Sequence, residues 1–375
     1  MKKKQKQLSP FELEIEKFAK KYVDSEEYKK EDSRNKISVI FEAFAQELSK
    51  VELNQHLDYE KSNQSKNLGH IEEQVISLFA SGLPYQNIAN AIKIIYEKEV
   101  SIAWISSVID KILPEIEKWK SQKIENFYPI LYIDGMFFDV KENGVFVKKS
   151  LYVILAIDWQ GYKKALGFWI KNSESASNWL DVLSELKTRG LEDVLIIPCD
   201  NLSGISQAIK TVFPQTDIQK CVVQQVRNSL LKVSYKDKKD FAYDMKKIYQ
   251  VNWAINQEFA LQNLDEFAKK WGQKYPSIIK SWYENFAELT TFLKYPNELR
   301  QSIYTTNPIK SVIKLIRQNA ETNGEIQSVD DLSKITYLTL QNVSKKWQKQ
   351  IGNWDIIKKQ LEISFPNRLN NLKLN

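Results

Sequence analysis

Glycine and proline are scarce, at 11 and 10 in 375 residues, roughly half of what an average chain carries. An all-β fold needs a tight turn every few residues, so this scarcity argues for long helices instead. Only two cysteines, Cys199 and Cys221, and two histidines, His56 and His70, occur. Two thiols exclude a disulfide scaffold and fit a reducing compartment. The longest apolar run is about that of Leu151 to Ile157, far short of the ~20 residues that span a bilayer. The basic start, Met1 to Gln7, runs into Phe11-Glu12-Leu13-Glu14 without the apolar stretch of a signal peptide. A soluble, cytoplasmic protein with no membrane partner is expected.

What is present supports a sizeable core: 43% of residues are hydrophobic and 12% aromatic, which argues against global disorder. The length suggests two or three domains. The net charge of +7 permits nucleic acid as a partner without establishing it.

Along the chain, residues 1–67 read as a charged helical region followed by a linker. Phe41, Phe44, Leu48 and Val51 recur at helical spacing, and the periodicity is lost over Asp58 to Asn67. Residues 68–126 hold three short helices: Ile71 to Ala80, a second after Gly82-Leu83-Pro84, and a third that Ser101 can cap. That order matches a helix-turn-helix. The third helix would expose Ser101, Trp104, Ser106 and Ser107 to phosphate or base edges. An ordinary helical bundle with solvated polar positions gives the same pattern, and the face carries few cations.

From Phe127 the pattern changes to short, nearly continuous apolar runs: Ile130 to Val140, Leu151 to Ile157, Ala165 to Ile170 and Val194 to Pro198. A helical stretch, Ser175 to Thr188, lies between the last two, so an α/β sheet is predicted. Residues 231–300 are helical again, and a further helix begins near Thr305-Thr306-Asn307-Pro308. Asp134 and Asp200 each follow a buried apolar run, where an unpaired charge is costly. Neighbouring strands would bring the two carboxylates together. They would repel unless a divalent cation bridged them, as in two-metal phosphoryl transfer. Alternatively, each Asp caps the turn or helix that follows it.

Residues 220–250 carry eight Lys or Arg against three Asp, a net +5. Lys310, Lys314 and Arg317 share one helical face. Both features suit phosphate contacts, and both are also what a solvated helix face looks like.

Several ordered motifs carry a resemblance. They are Tyr128-Pro-Ile-Leu-Tyr-Ile-Asp134, the block from Trp179 to Arg189-Gly190, and Cys199-Asp200-Asn-Leu-Ser-Gly204. Val212-Phe-Pro-Gln-Thr216, Cys221-Val-Val-Gln-Gln-Val-Arg227-Asn228 and Ile303-Tyr-Thr-Thr-Asn307-Pro-Ile-Lys310-Ser311 follow. Together they resemble the Mutator-type bacterial insertion-sequence transposases, from about Leu68 to Leu369 with a weaker match over Phe41 to Lys61. The resemblance implies an RNase H-like catalytic core formed by residues 127–230 and 301–375, with an all-helical insertion at 231–300. An N-terminal helix-turn-helix region would bind the element ends. The implied chemistry is Mg²⁺- or Mn²⁺-dependent DNA cleavage and strand transfer, carried out by homo-oligomers on DNA. The first two catalytic and metal-binding acids of such proteins fall on Asp134 and Asp200. Arg227, Asn228 and the face of Lys310, Lys314 and Arg317 become expected DNA contacts, beside Ser101 and Trp104.

Three departures stand out. The third acid of similar proteins is the Glu of Thr-Thr-Asn-x-Ile-Glu-Ser, and Lys310 occupies that position. An ammonium donates hydrogen bonds and repels a cation, so Lys310 is expected to ion-pair with Asp134 and Asp200 in place of Mg²⁺. Glu298 and Glu321 are poor substitutes by position. The Cys-x-x-His of relatives reads Cys221-Val-Val-Gln224 here, which leaves no zinc-site spacing. The region before the three helices is also shortened. The expectation is therefore an insertion-sequence transposase by descent with impaired catalysis. The alternative is a catalytically silent DNA-binding or multimerising relative, such as a decayed copy or a repressor of transposition. A nuclease that uses Asp134, Asp200 and another acid is a third option.

Overall fold

The computed structural model describes residues 64–370, apart from Ser203 and Glu325. Most of the expected N-terminal region at 1–67 lies outside them. Two compact units form: residues 64–112 with 321–324 fall in one, and 113–320 with 326–370 in the other.

The first unit is built on α1 (Gln64–Ala80), α2 (Tyr85–Tyr96) and α3 (Ile102–Asp110). The first helix starts inside the stretch predicted to be linker. Its polar opening turn needs no apolar face once the helix is nucleated from Ile71 onward. Chain reversal after α1 uses Gly82 at φ 91°. Ile71, Val75 and Leu78 of α1, Ile88 and Ile92 of α2, and Ile105 and Ile109 of α3 are buried at three- and four-residue spacing, so each helix turns one apolar face inward.

The second unit begins with α4 (Leu113–Ser121), a segment at the end of the predicted three-helix region. Its Trp119 stacks on Phe168 and meets Tyr337 edge-on. Five strands follow with helices between them: β1 (Phe127–Glu142), β2 (Val145–Ile157), β3 (Lys163–Lys171), α5 (Ala176–Thr188), β4 (Asp193–Cys199), α6 (Ile205–Val212) and β5 (Asp217–Lys220). The sheet order is β3-β2-β1-β4-β5. The pairs β1–β2 and β2–β3 are antiparallel, while β1–β4 and β4–β5 are parallel. Phe127 to Asp134 is buried without interruption because both faces of the sheet are covered there, Leu131 and Ile133 packing on one side and Tyr132 reaching Ser302 O on the other. Beyond it the burial alternates, as expected for a hairpin with one solvated face.

One face of the sheet is covered by α5 and α6, through Trp179, Leu183, Leu186, Ile205 and Ile209 against Leu131, Ile133, Tyr152 and Ile197. The chain continues through α7 (Val222–Leu231), α8 (Lys238–Tyr249), α9 (Gln257–Trp271), α10 (Pro276–Leu289) and a 3-10 turn, Thr291–Lys294. This helical block has its own aromatic interior, where Phe241 packs against Phe267, Trp271 and Tyr275. Fully buried Gln219 of β5 ties the block to the sheet. Its amide donates to Leu289 O at 2.9 Å and its carbonyl accepts from Phe292 N at 2.6 Å.

Five helices complete the unit: α11 (Asn297–Ile303), α12 (Asn307–Asn323), α13 (Val329–Ser344), α14 (Trp354–Ser364) and α15 (Pro366–Asn370). Helices α4 and α13 lie against β3, and α11 lies against β4. Gly161, at φ +89°, permits α14 to dock, because a Cβ there would fall 2.3 Å from Trp354 Cγ. No helix among the described residues is long and apolar enough to cross a membrane.

Candidate functional site

The parallel register pairs Ile133 of β1 with Cys199 of β4. The residue after each is an aspartate, so Asp134 within β1 and Asp200 just past the end of β4 sit side by side. Both are nearly buried, at 5% and 8% exposure. Asp134 Oδ1 accepts from its neighbour Gly135 N at 2.9 Å. Asp200 Oδ1 accepts from Thr306 Oγ1 at 3.0 Å, and its Oδ2 lies 3.0 Å from Lys310 Nζ. Burial, reinforced by the charge of Asp200, pushes the Asp134 carboxyl up to about 7, against the pull of Lys310 and the Gly135 N–H.

Helix α12 and the residue just before it deliver both partners of Asp200. Thr305 Oγ1 accepts from Asn307 N at the helix start, which leaves the fully buried Thr306 hydroxyl free to donate to Asp200. One turn later Lys310 reaches the same carboxylate. Its ammonium also donates to Gln224 Oε1 at 3.3 Å, and Gln224 Nε2 donates to Asn228 Oδ1 at 3.3 Å. Lys310 was expected to pair with both aspartates. It pairs with Asp200 alone, because its second hydrogen bond goes to Gln224 and Asp134 Oδ1 is turned to the backbone.

A third carboxyl, which the sequence analysis did not single out, enters from the turn before α5. Tyr152 OH and Asn178 Nδ2 both donate to Ser173 O, and Ser175 caps the helix by accepting from Asn178 N. That pinned turn places Glu174 Oε1 3.6 Å from where a Cβ on Gly135 would stand. Neither this oxygen nor the indole Nε1 of fully buried Trp179 completes a hydrogen bond. Burial and the charge of Asp200 raise the Glu174 carboxyl above the usual range, although the nearby indole favours its charged form. Gly204, at φ +78°, lets the start of α6 approach: a Cβ there would lie 2.2 Å from Ala176 Cβ. The one sequence signal for Glu174 was a Ser-Glu-Ser segment just ahead of a helix.

The residue types around Asp134 and Asp200 do not fit a divalent cation as they stand. The ammonium of Lys310 already neutralises one carboxylate. Among the described residues, no three His, Cys, Asp or Glu side chains gather closely enough to hold a metal ion. The candidate substitutes are elsewhere: Glu298 accepts from Gln360 at 2.6 Å, and Glu321 is exposed on α12. Cys221 is buried at the start of α7, and His70 pairs edge-on with Tyr96.

The sequence profile described as "Transposase, Mutator family" matches residues 63–350, a span that includes Asp134, Asp200 and Lys310. The chain belongs to the Mutator family of transposases. It is 35% identical over 301 residues to a probable transposase for an ISRM3-like insertion sequence element of Sinorhizobium fredii, covering 80% of this chain and 74% of that protein. The transposase for insertion sequence element ISRM3 of Rhizobium meliloti is similar to the same degree and extent. A probable insertion-sequence transposase of Corynebacterium diphtheriae is 29% identical over 283 residues, 75% of this chain and 82% of that protein.

The other candidate residues of this Mutator-family chain are more dispersed. Arg227 and Asn228 are exposed on α7, and Lys314 and Arg317 are exposed on α12. Ser101 caps α3, accepting from Trp104 N at 3.1 Å, and Trp104 itself is half-buried.

Proposed function

We propose that this chain is an insertion-sequence transposase by descent that engages DNA and is impaired in strand cleavage. The single observation that carries the impairment is the Lys310–Asp200 ion pair at 3.0 Å. On this reading the sheet and the helices α5, α6 and α12 form an RNase H-like core, and α1 to α3 form a helix-turn-helix that grips element ends. Arg227, Asn228, Lys314 and Arg317 supply phosphate contacts, which position a duplex without reading its sequence. Metal-dependent cleavage in such proteins would need Asp134, Asp200 and a third acid to hold Mg²⁺ or Mn²⁺. Here Lys310 supplies the positive charge, held in place by Gln224, so no cleavage step is assigned to this arrangement. The same pair is equally compatible with a catalytically silent DNA-binding or multimerising relative, such as a repressor of transposition.

The test is Lys310→Glu. Wild type is expected to show little Mg²⁺- or Mn²⁺-dependent nicking and a melting temperature that barely responds to either ion. Lys310→Glu replaces the attraction with three mutually repelling carboxylates, so the metal-free variant should lose on the order of 3 kcal/mol. Added Mg²⁺ should restore it through ligand linkage. Strong metal-dependent cleavage by wild type, abolished by Asp134→Ala, would overturn the impairment.

A further inference from the structure

The turn between α7 and α8 carries side chains that the fold does not use. Tyr235 is 96% exposed, and Leu231, the last residue of α7, is 74% exposed, so neither contributes to packing. The backbone beneath them is nevertheless held on several sides. Ser234 N donates to Tyr275 OH at 3.2 Å, Ser234 Oγ donates to Asp237 Oδ2 at 3.0 Å, and Asp237 N donates to Ser234 O at 3.1 Å. The adjacent Val233 is buried. The ring is thus presented to solvent from a fixed support rather than from a loose loop.

Charge supplies the second observation. Arg227, Lys232, Lys236, Lys238 and Lys239 are all exposed. The carboxylate within the turn, Asp237, is taken by Lys274 and Tyr275. Asp244, about two helical turns further on, is held by Lys247, Lys270 and the Trp271 indole. Among the described residues, none of the five cations has an acidic side chain within ion-pair distance. The five charges are therefore open to an anionic partner, with exposed Asp240 the one further carboxylate among them.

We infer that this turn is a contact site for an unpaired DNA strand, with Tyr235 stacking on a base and the surrounding cations pairing with phosphates. The inference rests on the proposed DNA-binding role and adds the form of DNA and the residue that reads it. Phosphates are available on duplex and single strand alike, so the cations do not distinguish them. The ring does, because base faces are covered inside a duplex and open in an unpaired strand. Stacking of this kind tolerates any base and combines with backbone cations to track a single strand.

The experiment uses the full chain with a fluorescein-labelled 16-nucleotide oligo-dT and a labelled duplex, followed by anisotropy. Tyr235→Ala should weaken oligo-dT binding about tenfold, within the usual range for loss of one base–aromatic stack. It should leave duplex affinity and the melting temperature unchanged, and Tyr235→Trp should restore oligo-dT binding. Lys236→Ala should reduce the salt slope by about one, whereas Tyr235→Ala should not. Equal oligo-dT affinity of wild type and Tyr235→Ala overturns the inference, and so does an equal loss on both DNA forms. Wild type that binds duplex but not oligo-dT overturns it while leaving the proposed function standing. Binding to neither overturns both.

Discussion

Asp134 carries the largest electrostatic cost at the site. Its folded-state pKa of about 7 exceeds the ~3.9 of an unfolded aspartate, so in that interval the folded chain holds more protons than the unfolded one. Stability from this group is therefore fullest below about pH 4 and is lost as pH rises through about 7. Asp134→Asn removes the charge at constant shape. It should be more stable than wild type at about pH 8, by roughly 1–3 kcal/mol, and the gap should narrow toward about pH 5. Urea titrations at the two pH values measure this, and an unchanged gap would show that the Asp134 carboxyl is not desolvated. Asp134 and Asp200 were legible in the sequence because each ends an uninterrupted apolar run, which marks a charge inside a sheet. Glu174 and Gln224 were not, since a polar residue ahead of or on a helix has no local signature of the carboxylate or ammonium it will face.

Among the elements, the start of α3 shows how a candidate contact can have a structural role. Ser101 was a candidate DNA contact on the strength of an exposed, capping position. In the structure its oxygen accepts from Trp104 N, which satisfies one of the otherwise orphaned amides of the first turn. Ser101→Ala should cost about 1 kcal/mol of stability, read as a lower urea midpoint, and Ser101→Asp should recover it. A midpoint unchanged in Ser101→Ala would show that the cap is not made in solution. The same reasoning explains α12, where adjacent threonines divide the work: Thr305 serves the helix start and Thr306 serves Asp200. Sequence pattern identified the helix start and could not assign the two hydroxyls.

At the scale of the whole molecule, the net charge of +7 and the unpaired cations of α7 and α8 favour a polyanion. Duplex affinity should fall steeply with salt: neutralising only two phosphates gives about a tenfold loss between about 50 and about 200 mM. Anisotropy of a labelled duplex at rising salt checks this, and a flat response would remove phosphate contacts from the account. The sequence alone settled the mixed α/β character, the helical stretch after β5 and the position of two aspartates at the ends of apolar runs, while the strand pairing made those runs neighbours. Those features are written in local periodicity, which records whether a segment is buried on one face or both. Tertiary structure decided the chemistry of the site. Lys310 reaches Asp200 only after the chain has passed through six helices, a strand and a 3-10 turn, and Glu174 reaches Gly135 only because β2 and α5 pin the turn that bears it. Such meetings depend on how distant elements pack, and side-chain periodicity along a single element carries no information about which distant charge it will meet.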